Sequence, residues 1–112
     1  MSLIADYSRR VRIYQIQDIE RVNYAFRPLK DDDKWCKSDY TLVKDYEIHP
    51  TCHYTDEDVL EDLFRISNTY GLGKDYTGRS ISVSDIVVIN QKAYYCDMCQ
   101  WVVIHQHWDE IN

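Results

Sequence analysis

The densest run of β-branched and aromatic residues extends from Gly78 to His105, and it predicts three consecutive antiparallel strands. At its start, Ile81 and Val83 alternate with serines, which is typical of a strand with one solvated face. Residues 86–89 are all apolar, so we expect this part to be covered on both faces. Short polar turns then separate two further predicted strands, at residues 93–96 and 101–105.

Side chains alternate between the two faces along a strand, and this alternation predicts how the meander packs. Val87 and Val88 are expected to be buried on opposite faces. In the last strand, one face is expected to carry Trp101, Val103 and His105, and the other face Val102 and Ile104. A meander this short needs a helix or a second sheet against it to bury its apolar side.

Two upstream segments are also rich in β-formers and predict strands, at residues 11–17 and 40–48. In the second segment, Leu42 and Tyr46 are expected on one face and Val43 on the other. Residues 24–26 predict a further short strand. The acidic run at residues 31–33 predicts a solvated loop, because cation loops space their carboxylates at alternate positions and include a turn glycine.

One amphipathic helix is predicted from Thr55 to about Thr69. Thr55 is a suitable N-cap, and three acidic residues fill the first turn, where the helix dipole favours negative charge. The apolar stripe is expected to lie on the sheet and consists of Val59, Leu60, Leu63, Phe64 and Ile66. Within this stripe, Leu63 and Phe64 are expected to cover at least one of the two buried valines.

With 112 residues, of which 45% are hydrophobic, the chain is long enough for one domain with one core. We assign that domain to residues 11–108 and expect residues 1–10 to be a disordered or cloning-derived N-terminus. The predicted architecture is α+β: a curved antiparallel sheet, made of the N-terminal strands and the C-terminal three-strand meander, with one amphipathic helix packed on it. The alternative is a small, partly closed β-barrel with one helix, because the strands after Gly78 are short and consecutive.

The charge balance bears on the kind of partner. The formal net charge is -6, from 19 acidic and 13 basic side chains, which argues against direct binding to nucleic acid. No stretch approaches the roughly 20 apolar residues of a membrane span, and no apolar core of a signal peptide is present at the N-terminus. The four cysteines are therefore expected to be thiols, and the protein is expected in the cytoplasm.

Zinc is the first chemical possibility that the sequence raises. Cys96 and Cys99 form a Cys-x-x-Cys pair that His105 and His107 follow, and a second small cluster consists of His49, Cys52 and His53. Structural zinc sites use such ligands in pairs joined by a tight turn. No glycine in or after the pair forms that turn, and the pair lies at a predicted hairpin, so we expect no metal and no other cofactor.

A hydrolytic site is the second chemical possibility. Ser80, Ser82, Ser84 and Asp85 lie close to His105 in the predicted meander. A catalytic triad also needs an activated serine, an oriented histidine and an oxyanion site, and the sequence pattern indicates none of these. The serines are explained by a solvated strand face, and Asp85 is expected to cap a turn or to accept from a backbone amide. We therefore predict that the chain is not an enzyme.

The aromatic residues favour an interaction function. Ten Tyr and three Trp are many for a chain of this length, and those that remain at the surface favour contact with a protein partner. The same rings could stack on the bases of a single strand, which leaves a nucleic-acid-binding module as an alternative.

Several segments also match a family pattern in the correct order, at residues 13–16, 24–26, 39–43, 60–64, 75–88 and 94–97. The most specific piece is Gly-x-Ser-x-Ser-Val-Ser-Asp, which begins at Gly78 and ends at Asp85. On these segments the chain resembles the YodL-like domain, found in proteins of conjugative and other mobile elements of Firmicutes. The chain departs from that family at Gln100-Trp101, where Gly-Phe is usual, and at Met98, where a serine is usual. Cys99 is not part of the family pattern.

The resemblance implies an accessory module that is often joined to other domains, and it brings no catalytic residues. The candidate interaction or structural residues are Gly78, Ser80, Ser82, Ser84, Asp85, Tyr94, Tyr95 and Trp101. We predict a non-enzymatic protein-interaction module of a mobile element, one version of which is an acidic inhibitor of a host nucleic-acid enzyme. The alternatives are a nucleic-acid-binding module that uses a local aromatic surface and, least favoured, a zinc-dependent or hydrolytic enzyme.

Overall fold

The computed structural model describes residues 8–20, 35–50, 54–69, 71, 76, 78–97 and 100–111. The strands and the helix in these ranges are β1 (Arg9–Ile16), β2 (Tyr40–Ile48), α1 (Asp56–Thr69), β3 (Ile86–Ile89), β4 (Lys92–Cys96) and β5 (Trp101–His105). Two 3₁₀ turns cover Lys37–Asp39 and Trp108–Glu110. The predictions for residues 24–26 and 31–33 lie outside the described residues.

The strands form one sheet in the order β2-β1-β3-β4-β5, and every neighbouring pair is antiparallel. The C-terminal meander is therefore confirmed, as is the α+β fold class. Within the described residues β2 and β5 are the two edges, so the sheet is not closed and the barrel alternative is wrong. Strand β1 begins at Arg9, two residues before the predicted domain boundary. No helix in the described ranges has the length and apolar character to cross a membrane.

The helix covers one face of the sheet. Its N-terminus forms a reciprocal cap, in which the Asp58 backbone N–H donates to Thr55 Oγ1 (3.2 Å) and the Thr55 backbone N–H donates to the Asp58 carboxylate (2.9 Å). The predicted N-cap is thus confirmed. The helix-side core consists of Val11, Ile13, Val43, Val59, Leu60, Leu63, Ile81, Val87, Ile89, Tyr94 and Cys96.

The prediction that Phe64 belongs to this core is wrong, because its side chain is 42% exposed. Successive helical residues are rotated by about 100°, and the buried residues of α1 centre the apolar stripe on Leu60 and Leu63. Phe64 lies at the border of that stripe, where it reaches the helix flank instead of the sheet.

The opposite face of the sheet is covered by aromatic side chains rather than by a helix. This outer-side core consists of Ile16, Tyr40, Ile86, Val88, Ala93, Tyr95 and Trp108. Val87 and Val88 therefore lie in different cores, as predicted. Trp108 is fully buried, and it stacks on Trp35 at 5.7 Å between ring centroids. The sequence did not single out Trp108, although it is the largest fully buried side chain.

Polar contacts attach the turn that carries Trp108 to the sheet. The Trp108 backbone N–H donates to the Gln91 carbonyl (2.9 Å), and Lys37 Nζ donates to the Trp108 carbonyl (2.9 Å). Arg12, which is buried, donates to both carboxylate oxygens of Asp109, at 2.6 and 3.2 Å. The pKa of Asp109 is lowered to about 2, mainly by the hydrogen bonds from Arg12 and to a smaller extent by a hydrogen bond from Gln91.

Two register shifts explain why some face predictions are wrong. Ile13 pairs with Lys44 and Tyr14 with Leu42, so Val43 is an extra residue in β2. Such a bulge reverses the alternation, and Val43 therefore enters the helix-side core together with Tyr46. Leu42 is turned away from that core and is exposed.

A second bulge lies in β5, where Ala93 pairs with His105 and Tyr94 with Val103. Ile104 is the extra residue, and it packs on the outer-side core. The predicted common face of Trp101 and His105 is wrong, because Trp101 packs on the helix-side core whereas His105 meets Trp35 on the other side.

The burial pattern predicts how two aromatic truncations affect stability. Trp108→Ala removes a fully buried ring and should lower the free energy of unfolding by about 3–5 kcal/mol. Phe64→Ala removes a half-solvated ring and should cost less than about 1 kcal/mol. Urea denaturation of both variants tests this order. A larger loss for Phe64→Ala than for Trp108→Ala would contradict the assignment of the two cores.

Candidate functional site

The family motif forms an irregular loop, not the strand predicted from its alternation. The Asp85 backbone N–H donates to the Ser82 carbonyl at 3.1 Å, which closes a turn through Val83 and Ser84. Ser84 has a φ of +83°, a left-handed conformation that residues other than glycine seldom adopt. The strand begins only at Ile86. Local hydrogen bonds from serine and aspartate compete with the sheet ladder here, which the alternation of apolar residues did not reveal.

Ser84 is fully buried, so its predicted position on a solvated face is wrong. Its carbonyl accepts a hydrogen bond from the Tyr40 hydroxyl (2.6 Å), and its N–H donates to the Cys96 carbonyl (2.9 Å). These contacts connect the motif loop to β2 and β4, which explains how the strained residue is held in place.

Asp85 is the centre of the motif loop and is completely buried. Its Oδ2 accepts from the Ser82 backbone N–H and from Gln15 Nε2, each at 2.9 Å. Arg79 Nη2 lies 3.5 Å from Oδ1. The expectation that Asp85 would accept from a backbone amide is confirmed. Burial raises its pKa to about 6, although Ser82, Gln15 and Arg79 all favour the charged form.

Gln15 connects this loop to β1. It is fully buried, and besides Asp85 its Nε2 lies 2.9 Å from the Tyr76 hydroxyl and from the Arg79 carbonyl. Its Oε1 accepts from the Arg79 backbone N–H at 2.9 Å. A Cβ on Gly78 would lie 2.3 Å from that Oε1, so only glycine fits at this position. Because these groups are buried and bonded to one another, the loop has a structural role.

The other predicted motif residues are distributed over the fold. Ser80 Oγ donates to the Ser67 carbonyl at 3.2 Å, which attaches the loop to α1. The Tyr94 hydroxyl donates to Asp56 at 2.8 Å, and Tyr95 lies in the outer-side core, so both tyrosines are buried. Trp101 is only partly buried and is the predicted residue that lies at a surface groove.

The structure separates the predicted zinc ligands. Cys96 lies in the helix-side core, whereas His105 contacts Trp35 on the other face at 6.5 Å between ring centroids. His105 Nδ1 also accepts from the His107 backbone N–H at 3.0 Å. Among the described residues no group of three or more metal-binding side chains comes together. Cys99 lies outside the described residues.

The described residues also assemble neither the second cysteine–histidine cluster nor the residues of a hydrolytic site. His49 Nδ1 lies 2.9 Å from Ser8 Oγ, and the other two members of its cluster, Cys52 and His53, are outside the described residues. The Asp85 carboxylate is occupied by Gln15, Ser82 and Arg79. His105 packs edge-on against Trp35 and accepts from the His107 backbone N–H, so the described contacts do not assemble a triad.

A surface groove lies between α1 and the ends of β4 and β5. Its volume is about 510 Å³, within the roughly 300–1,000 Å³ range of ligand pockets. Phe64 and Trp101 supply aromatic surface. The described residues that line this surface, here called the acidic groove, are Glu57, Glu61, Phe64, Arg65, Cys96, Asp97, Gln100 and Trp101. Among these residues, three carboxylates and one cation meet at the groove. Burial raises the pKa of the Cys96 thiol to about 12, so this sulfur stays protonated at neutral pH.

The apolar pattern of the sequence does not reveal the groove, because that pattern places Phe64 in the core. A usable signal was present in the helix. At about 100° per residue, Glu57, Glu61 and Phe64 fall on one flank of α1, adjacent to the buried stripe. An aromatic residue that shares a helix flank with two carboxylates indicates a surface position, not a core position.

The raised pKa of Asp85 predicts a defined pH dependence of stability. An unfolded aspartate protonates near pH 4, whereas folded Asp85 does so at about pH 6, so the folded state binds more protons between these values. The free energy of unfolding should therefore fall as the pH rises from 4 to 6, by on the order of 2–3 kcal/mol, and this contribution should be constant above.

Urea denaturation between pH 4 and pH 7 measures this dependence, and Asp85→Asn should abolish the fall. Asp45→Asn is the matched control, because its hydrogen bond with Arg10 lowers the pKa of Asp45, which therefore titrates below this window. An unchanged slope in Asp85→Asn would contradict the assignment of the raised pKa to Asp85.

A protein-family model described as the YodL-like domain matches residues 10–106. That range extends from the second residue of β1 to the residue after β5 and includes α1. A search of curated proteins and a search of solved structures found no match. Because the family model covers far more than half of the 112 residues, the chain belongs to the YodL-like domain family.

Proposed function

We propose that this domain is a non-enzymatic protein-interaction module and that the acidic groove is its binding surface. The observation that carries the proposal is the exposed Phe64 ring in a groove that also contains Trp101. Aromatic residues at the surface favour protein contacts, because they bury a large area at a low entropic cost. Val103, on the edge strand β5, is a further exposed apolar side chain.

The chemistry of the groove supports binding more than catalysis. Its sulfur, in Cys96, is a protonated thiol with a pKa of about 12, and such a group is a poor nucleophile. Asp85, the buried carboxyl whose pKa is raised, is completely enclosed and lies in the motif loop, where a substrate would have no access. A zinc-dependent or hydrolytic enzyme is therefore the least supported alternative.

The pairing of the arginines argues against the nucleic-acid alternative. Each arginine in the described ranges contacts an aspartate: Arg9–Asp56, Arg10–Asp45, Arg12–Asp109, Arg65–Asp62 and Arg79–Asp85. Guanidinium groups held in this way are less available to phosphates. The rings of Phe64 and Trp101, which could otherwise stack on bases, lie in a groove that three carboxylates also line, and these carboxylates repel a phosphate backbone.

The proposal also covers the origin of the protein, its cellular compartment and the kind of partner. A mobile genetic element is the origin that the family resemblance suggests, and the cytoplasm is the compartment that we assign. Cys96 is a buried thiol that forms no disulfide with another described residue, which supports a reducing environment. One version of the module is an acidic inhibitor of a host nucleic-acid enzyme, and the three carboxylates of the groove support that version, because grouped carboxylates can imitate phosphates.

Affinity capture with matched bait variants tests the groove. Phe64 and Leu42 are 42% and 43% exposed, but Leu42 lies on β2 at the other edge of the sheet. We expect to capture a partner protein with the unmodified chain and with Leu42→Ser as baits, but not with Phe64→Ser. Titration of that purified partner should show at least a roughly tenfold weaker affinity for Phe64→Ser. Equal affinities for all three baits would rule out the groove as the binding surface.

Nucleic-acid binding is tested separately by fluorescence anisotropy with a labelled duplex and a labelled single strand. At physiological salt we expect dissociation constants of about 100 μM or weaker, because the net charge is -6 and the described arginines are paired. Tight binding that weakens steeply with added salt would instead support the nucleic-acid alternative.

A further inference from the structure

We infer that the acidic groove receives a cationic side chain, arginine or lysine, from an apolar segment of the partner protein. The inference rests on the proposed function and specifies the chemistry of the partner. It depends on the combination of two kinds of groups in one groove. Phe64 and Trp101 provide aromatic surface, and Glu57, Glu61 and Asp97 provide negative charge.

The aromatic groups suit the stem and the charge of such a side chain. Arginine and lysine carry apolar stems that pack on apolar surface while the charged end stays near polar groups. A guanidinium or ammonium group near the face of a tryptophan or phenylalanine is also attracted by the negative ring face. This domain already makes such contacts within itself, since Lys44 lies over Tyr46 and Lys92 over Tyr94, at 5.2 and 5.5 Å from the ring centroids.

The charge of the groove selects the sign of the ligand. Three carboxylates face one arginine, and that arginine, Arg65, is already 3.5 Å from Asp62 on the helix. The carboxylates of Glu57 and Glu61 project from exposed positions on α1 and make no ion pair with other described residues. A cation entering between them gains favourable electrostatic contacts, whereas an anion would be repelled.

Other occupants fit this charge less well. A second copy of the chain would bring its own acidic groove and a net charge of -6, so two copies would repel one another. A nucleic acid would bring phosphates to three carboxylates. A volume of about 510 Å³ accommodates more than one side chain, which is why the apolar neighbours of the cationic residue belong to the inference.

The test uses two synthetic peptides, acetyl-Ser-Val-Xaa-Val-Ser-amide, in which the central residue is arginine or citrulline. Citrulline has nearly the shape of arginine but no charge. Binding is followed by NMR through the indole N–H signals of the full chain, assigned with Trp101→Phe. The arginine peptide should shift the Trp101 signal with an affinity roughly three- to tenfold higher than that of the citrulline peptide. The signal of Trp108, which is fully buried, should not move and serves as the internal reference.

Charge variants show whether the groove carboxylates are responsible. Glu57→Gln and Glu61→Gln should each weaken the affinity for the arginine peptide roughly two- to fivefold and leave the affinity for the citrulline peptide unchanged. Glu47→Gln is the matched control, because Glu47 is an exposed glutamate on β2 and should have no effect on either peptide. Equal binding of both peptides, an equal effect of Glu47→Gln, or no shift of the Trp101 signal by the arginine peptide would overturn the inference.

Failure of the cationic inference can be distinguished from failure of the proposed function. If Phe64→Ser abolishes binding of the captured partner but arginine and citrulline peptides bind alike, the groove is an interaction surface and only the cationic inference fails. If Phe64→Ser changes neither the partner nor the peptides, both fail. A lysine peptide that binds as well as the arginine peptide supports the inference and identifies point charge, rather than the planar guanidinium, as the recognised feature.

Discussion

The burial of both faces of β1 is the constraint on which the rest of the structure depends. The strand lies between β2 and β3, and its side chains at residues 11–13, 15 and 16 are buried, including two polar ones, Arg12 and Gln15. A buried polar group is costly unless it is hydrogen-bonded, and each of these two finds its partners far along the chain. Arg12 binds Asp109 beyond the last strand, and Gln15 binds the motif loop before β3. β1 therefore holds two segments in place, the turn after β5 that contains Asp109 and the motif loop before β3.

The sequence was sufficient where one regular period continued without interruption. The apolar run at 86–89 and the segment 40–48 both form the predicted strands, and the capped amphipathic segment forms α1. The failures lie where a local contact overrides the period. The extra residues Val43 and Ile104 reverse the alternation of side chains between the two faces of β2 and β5. No residue type in the sequence indicates a bulge. The strained turn at Ser84 depends on Tyr40, which is remote in sequence.

The candidate site was predicted less well than the fold, for a related reason. The residues of the family motif looked like candidates for a surface, yet Asp85 and Ser84 are buried and serve the architecture. Trp101 was the predicted residue that reaches the groove, whereas the acidic residues that give the groove its character were explained as the solvated side of a helix. A groove arises where elements meet in space, here α1, the end of β4 and the start of β5, whereas a sequence pattern describes each element separately.

The position of Trp108 has a consequence for biosynthesis. The family match ends at residue 106, but the outer side of the sheet is closed by an aromatic ring two residues later and by the Arg12–Asp109 pair. On the ribosome, β1 is synthesised before β3 and before Trp108, so both of its faces are covered only after these have followed. Until then a nascent chain exposes the row of Ile16, Ile86 and Val88. Transiently exposed apolar surface of this kind is prone to aggregation, so the outer side of the sheet is most vulnerable before residue 108 leaves the exit tunnel.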